Sequence, residues 1–314
     1  MAVNAILRSD AESLIPEQVS KEIIQGAVEH SAVLSQFRKL PNMTSKTLSM
    51  PVLDMLPVAY FVNGDNGNKQ TTKMQWDKKR LYAEEIAVIV PIPEAVLDDA
   101  EYDIWGEVKP RLYEAFGKKI DGAVLFGEDK PDQWRDDVVT TATKAGAVVT
   151  ETADIYKDIM GEDGLIAKVE GSGYFPSGVI SAIQMRAKLR GLKDNDGRPL
   201  YKSDMQGATP YALDGSPMYF PKNGAFDPAK ALMILGDFSQ GVYSIRQDIT
   251  FKVFTEGVVQ DPGTKEIVYN LMQNDMVALR AVMRLGWEIP NPINSLQKNK
   301  TNRCPFAIYQ KAGG

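Results

Sequence analysis

Residues 101–127 read EYDIWGEVKPRLYEAFGKKIDGAVLFG. Ile104, Val108, Leu112, Phe116 and Ile120 recur every four residues, with Ala115, Ala123 and Val124 beside them. That spacing lays one apolar stripe along a helix of about six turns. Glu107, Lys109, Arg111, Glu114, Lys118 and Asp121 fall on the other face. Asp103 complements the helix dipole at the start, and Gly127 stands where a stop is favoured. Pro110 interrupts the pattern, and a mid-helix proline costs ~3 kcal/mol. Burying each large apolar side chain of the stripe contributes roughly 1.5–3 kcal/mol before entropy is charged. The stripe therefore survives, with a kink near Gly106 or as a helix that restarts at Pro110. Taken alone it is a core-covering helix, and the flanking stretches decide of what.

Upstream, residues 46–62 alternate: Leu48, Met50 and Val52 point one way, Thr47 and Ser49 the other. This is strand patterning, restricted by Pro51 and Pro57 to an edge or an extended arm. Asn63 to Gly67, NGDNG, marks a turn. A return segment runs from Lys69 to Arg80, and a further strand from Tyr82 to Ile92. Residues 46–84 thus form a long two-stranded excursion with a glycine-rich tip. Such a ribbon is not stable alone in water, so a neighbouring subunit is the natural support. Before it, residues 1–15 have no sustained period, and 16–40 follow a helical pattern with Val19, Ile23, Ile24, Ala27 and Val28 on one side.

Downstream, residues 128–150 are polar, and 152–169 are helical with interruptions at Gly161 and Gly164. A strand is expected at 174–181 and a helix at 183–192, closed by the turn Lys193-Asp194-Asn195-Asp196-Gly197. Short strand pieces follow at 211–220 and a compact buried strand at 231–235. Residues 242–253 alternate. In 267–289 the second half reads as a strand, with Val277, Leu279, Ala281, Met283 and Leu285 on one face; 267–275 could be a short helix. Residues 291–314, rich in proline and polar residues, read as irregular.

The chain has 314 residues and a net charge of −5 without a block of like charges. That argues against dedicated nucleic-acid binding, which needs a concentrated basic face. A single cysteine, Cys304, excludes an internal disulfide. The start, MAVNAILRSDAESL, lacks the uninterrupted apolar run of a signal peptide, and Ile86 to Ile92 is too short to span a membrane. A soluble chain without a cleaved leader is expected.

No catalytic or ligand-binding cluster emerges. His30, the one histidine, has no nucleophile or carboxylate pair beside it and reads as solvated or interfacial. Residues 171–176, GSGYFP, imitate a dinucleotide loop but place Pro176 at the third glycine and precede a strand. Residues 194–197, DNDG, resemble half a calcium loop without its closing glutamate, and read as a turn. Asp98 and Asp99 diverge on a helix and read as N-terminal helix charge. Cys304 has no partner ligands for a metal. A structural or binding protein, neither an enzyme nor a cofactor or metal carrier, is expected.

Taken together the elements resemble the major capsid proteins of tailed bacteriophages, the Hong Kong ninety-seven type fold. The resemblance covers residues 14–296 and rests on joint order: LIPEQVSKEI at 14–23, KTLSMPV at 46–52 with AYFV at 59–62, IVPIPEAVLDD at 89–99, KDNDGRPL at 193–200, GDFS at 236–239, and the late strand with Arg280 and Arg284. It implies an α+β capsid fold. Residues 1–45 would be the N-terminal arm and helix, and 46–84 the extended loop over the adjacent subunit. Residues 85–150 and 241–314 would be the peripheral domain with its spine helix at 101–127, and 151–240 the axial domain around five- and six-fold axes. Inter-subunit contacts would fall on Tyr60, Asn63, Gly64, Asp65, Asn66, Gly67, Lys69 and Lys73 of the loop. The axial-domain turn would be Asp194, Asn195, Asp196, Gly197 and Arg198.

The implied function is self-assembly, through hexamers and pentamers, into an icosahedral virion head built in the host cytoplasm. The head would enclose double-stranded DNA held by weak non-specific contact. Expected partners are further copies of the chain, a separate scaffolding protein, a portal and a decoration protein, with no membrane. Some relatives cross-link a loop lysine to an asparagine. Lys69 and Lys73 are placed for this but read as ordinary solvated lysines. The rival of the same fold is an encapsulin, a cellular nanocompartment around a cargo enzyme. The rival of another class is an α/β enzyme.

Overall fold

The computed structural model describes residues 31–61, 69, 71–99, 104–193, 211–261 and 263–312. The stretch LIPEQVSKEI at 14–23, His30, the loop tip Asn63 to Gly67 and the turn Asp194 to Arg198 lie outside the described residues.

The described chain opens with a short helix, α1 (Ala32–Gln36), and a two-residue strand, β1 (Arg38–Lys39). The helical pattern read over 16–40 therefore ends, within the described part, at Gln36. The physical reason is Phe37. Its ring sits 6.2 Å from Phe238, 6.3 Å from Trp287 and 6.2 Å from Phe306, which needs the chain to straighten and dive into the core. Gly241 makes room for it: a Cβ there would stand 2.7 Å from the Phe37 ring.

Strands β2 (Thr47–Met55) and β3 (Gln75–Tyr82) pair antiparallel as a two-stranded ribbon, from Thr47 opposite Tyr82 to Met55 opposite Gln75. The expected alternation holds, with Leu48, Met50 and Val52 more buried than Thr47, Ser49 and Pro51. β4 (Glu84–Pro93) follows directly and leads into α2 (Glu94–Asp99).

The long helix α3 (Ile104–Phe126) runs unbroken through Pro110 and stops at Gly127, whose φ of +70° suits glycine. No restart occurs at Pro110. Leu112, Phe116, Ile120 and Val124 are buried as the spacing requires, and this burial outweighs the ~3 kcal/mol proline penalty. Asp121 departs from the sequence reading: it was placed on the polar face and is fully buried. The segment Ser31–Val33 covers that face. Asp121 accepts from the Ser31 hydroxyl (2.6 Å), the Ala32 and Val33 N–H groups (2.9 and 3.0 Å) and the Asn223 amide (2.7 Å). Burial pushes its carboxyl upward, against those four hydrogen bonds.

The polar stretch 128–150 contains α4 (Val138–Lys144), capped by the Asp137 side chain, and β5 (Val148–Thr150). Then come α5 (Ile155–Met160), α6 (Leu165–Gly171), β6 (Gly178–Ser181), α7 (Met185–Arg190), β7 (Ala212–Leu213), β8 (Ser216–Tyr219) and β9 (Met233–Gly236). A 3-10 turn at Phe238–Gln240 is capped by Asp237. β10 (Val242–Phe254), β11 (Val258–Gln260), β12 (Ile267–Asn270), β13 (Met276–Glu288) and β14 (Phe306–Gln310) complete the chain.

Two sheets share one apolar core with α1, α3 and α6. One has the order β1-β10-β13-β4, the other β5-β14-β9-β6-β8-β7. Two sequence expectations fail here. Residues 267–275 are not a helix: β12 pairs antiparallel with β11 as a hairpin. Nor is the end of the chain irregular throughout. β14 lies between β5 and β9 and buries Phe306, Ala307, Ile308 and Tyr309 completely. Thus 306–310, grouped on sequence with the segment from 241 onward, pairs with strands drawn from 148–236.

Candidate assembly surface

The ribbon carries large apolar residues that the described chain leaves exposed. Its base is anchored on its own chain. Met43, Leu81 and Ala83 form a small buried cluster, with Leu40, Leu48 and Met50 packed against it. The Trp134 indole N–H donates to the Tyr82 carbonyl at 3.0 Å, and Lys46 pairs with Glu84 at 3.6 Å. Alternation then splits the ribbon into two faces. Val52, Met50, Leu48 and Leu81 turn toward the body; Ser49, Pro51, Lys78 and Arg80 turn away.

From Met55 and Trp76 outward the apolar residues lose their cover. Trp76 is 60% exposed, Phe61 is fully exposed at 104%, and Met55, Val58, Tyr60 and Met74 are about half exposed. Fully burying such a side chain contributes roughly 1.5–3 kcal/mol. Concentrated at the end of an arm, these residues make an exposed apolar patch.

Of the loop residues singled out from sequence, Tyr60 lies within this apolar end. Lys69 and Lys73 are exposed beside it. The sequence reading missed Phe61, Met74 and Trp76. For Met74 and Trp76 the available signal was two large apolar residues within the polar stretch TTKMQWDKK at 71–79, whereas Phe61 sits in the apolar run AYFV at 59–62. A second exposed apolar set, also missed, lies around the β11–β12 hairpin: Val258, Ile267, Val268, Tyr269 and Met272.

A third feature is an open groove of about 380 Å³ between β4 and α3, floored by Ile86, Val88, Phe116, Ala123 and Trp134. Its rim charges are already paired within the chain. Lys119 Nζ meets Asp129 at 2.6 Å, and Arg284 Nε donates to Glu85 at 2.8 Å. Among the described residues, no group of three His, Cys, Asp or Glu is placed to hold a metal ion. No helix there is long and apolar enough to cross a membrane. Cys304 is buried, and burial pushes its thiol up to about 11.

A well-packed body carries an arm anchored at its base with an exposed apolar end, and solved phage structures share this fold over nearly its whole length. One from Microbacterium phage Oxtober96 is 34% identical, covers 98% of this chain and 99% of that chain, and superposes with a TM-score of 0.77. One from Mycobacterium phage Adephagia is 30% identical, covers 99% of each, and also gives 0.77. Residues 11–298 match the model of the phage capsid family, and the chain belongs to that family. A curated relative, the major capsid protein of Staphylococcus phage 80alpha, is 26% identical over 290 residues, spanning 91% of this chain and 85% of the relative. These findings favour the phage shell over the cellular compartment and the α/β enzyme.

Proposed function

We propose that the chain is the major shell subunit of a phage head, assembling through hexamers and pentamers around double-stranded DNA. The observation that carries this reading is the exposed apolar end of the ribbon, from Met55 to Phe61 and from Met74 to Trp76, on an arm anchored at its base. Such an arm gains its missing cover from a neighbour, and head-to-tail contacts of this type close into rings. Residues 1–45 serve as the N-terminal arm and helix, with Ser31 to Lys39 packed into the body, and 46–84 as the loop over the adjacent subunit. The four-stranded sheet and α3 form the peripheral domain, and 151–240 the axial domain. The pairing of β14 with β5 and β9 supports adding 306–310 to the latter.

The role is structural. A net charge of −5 suits a container that holds DNA by weak, non-specific contact. A separate scaffolding protein guides assembly in the host cytoplasm, with a portal and a decoration protein completing the head. Sedimentation and electron microscopy of the purified chain at micromolar concentration test the core of this reading. Five- and six-fold rings or closed shells are expected. A compact monomer at every concentration would overturn it.

A further inference from the structure

The chain crosses from β13 of one sheet to β14 of the other through residues 289–305, which contain no helix or strand. This crossover is nevertheless tightly held. Arg303, 2% exposed, sits at its centre. Its Nε donates to Asn291 Oδ1 (3.1 Å), its Nη1 to the Gln297 and Lys298 carbonyls (2.9 and 3.3 Å), and its Nη2 to the Asn291 carbonyl (3.1 Å). Asn291 returns a bond from Nδ2 to the Arg303 carbonyl at 2.7 Å. Asn291 has a φ of +48°, a conformation asparagine tolerates better than most residues. The planar guanidinium fork thus closes 291–303 into a rigid loop.

The outside of this loop touches two parts of the molecule. Toward the six-stranded sheet, Asn294 Nδ2 donates to the Ser172 carbonyl at 2.7 Å, and the Tyr174 hydroxyl donates to Asn291 Oδ1 at 2.8 Å. Toward the ribbon, the Ile293 N–H donates to the Leu53 carbonyl at 3.0 Å. Lys300 Nζ reaches Asp77 on β3 at 2.7 Å and Asp54 on β2 at 3.8 Å, so one ammonium holds both strands.

The ribbon's other anchor is the Met43, Leu81 and Ala83 cluster at its base. Asp77 lies about 13 Å further out than Leu81 at the usual rise of a strand. An arm held only at its base pivots; an arm held also at a second point keeps its angle. We propose that residues 291–303 are a strut that sets the angle of the ribbon and ties it to the six-stranded sheet. Ile293 and Lys300 are the positioning residues at the ribbon end, Asn291 and Asn294 those at the other, and Arg303 is the brace between them. A copy whose six-stranded part tilts carries its ribbon with it, so its seat in a ring and its reach to a neighbour change together. That last consequence rests on the shell reading; the strut itself is a property of one subunit.

The test is amide hydrogen exchange on the unassembled chain, which needs no particles. Lys300→Glu should raise exchange across 47–55 and 75–80 by roughly three- to tenfold, leaving β10 and β13 unchanged. The charge exchange Lys300→Glu with Asp77→Lys should restore it. Asn294→Ala, which removes the contact to Ser172 and the bond that Asn294 Oδ1 accepts from the Gln297 N–H within the loop (2.7 Å) but none to the ribbon, should also raise ribbon exchange. Wild-type ribbon exchange in Lys300→Glu would overturn the strut. A response to Lys300→Glu but none to Asn294→Ala would overturn its coupling to the six-stranded sheet. Either result would leave ring formation, and with it the shell reading, to stand on its own measurement.

Discussion

Phe306 and Phe61 are the same side chain in opposite conditions. Phe306, on β14 of the six-stranded sheet, is wholly buried and packs 5.2 Å from Phe238 in an edge-on pair. Phe61, near the end of the ribbon, is wholly exposed. The body satisfies its apolar residues within one chain. The ribbon end does not, and in the proposed shell a neighbouring copy supplies the cover. The two regions should therefore answer to different measurements: unfolding for the body, assembly for the ribbon.

The sharpest separation comes from deleting Val58 to Thr72. The body should remain folded, with the circular dichroism of the full chain, while closed particles are lost altogether. Particles of normal size from the deletion would break the comparison. Phe306→Ala should act in the opposite sense, destabilising the isolated subunit by about 3–5 kcal/mol in denaturant unfolding.

A smaller effect is expected at Asp158, on the same side of the divide. Burial works against its charged form. The Thr152 hydroxyl and N–H, both at 2.7 Å, and the Tyr309 hydroxyl at 2.9 Å outweigh that and hold its pKa below the ordinary 3.8. A depressed folded pKa adds stability above the unfolded value and loses it as pH falls through the folded one. Asp158→Asn should cost about 1–3 kcal/mol at neutral pH. The difference from wild type should shrink as unfolding is followed below pH 3.8. Least of all, Phe61→Ser should change subunit stability by less than about 0.5 kcal/mol. It should still raise the concentration needed for assembly, as read by light scattering.

The sequence was legible where one face of an element meets water. α3 showed its stripe and β2 its alternation, because exposure on the other face writes a period into the residues. β14 was missed for the converse reason. A strand buried on both faces has no alternation, and FAIYQ is short, preceded by Pro305 and flanked by polar residues. Asp121 was misplaced because periodicity places a carboxylate on the wet side, and only the fold brings Ser31 to Val33 over it. At the candidate surface, composition pointed to the ribbon and its turn. The residues with most to gain from a partner, Phe61 and Trp76, stood out only once their exposure was known. The Lys300–Asp77 contact joins residues 223 apart in the chain, and no local pattern encodes such a pairing.

The central claim is that the ribbon end is completed by another copy. Hydroxyl-radical footprinting of Phe61, Met74 and Trp76, compared between unassembled subunits and purified particles, tests it most directly. The account predicts strong labelling in the free subunit and clear protection of all three in the particle, with Phe306 protected in both. Equal labelling of the ribbon residues in both states would contradict it.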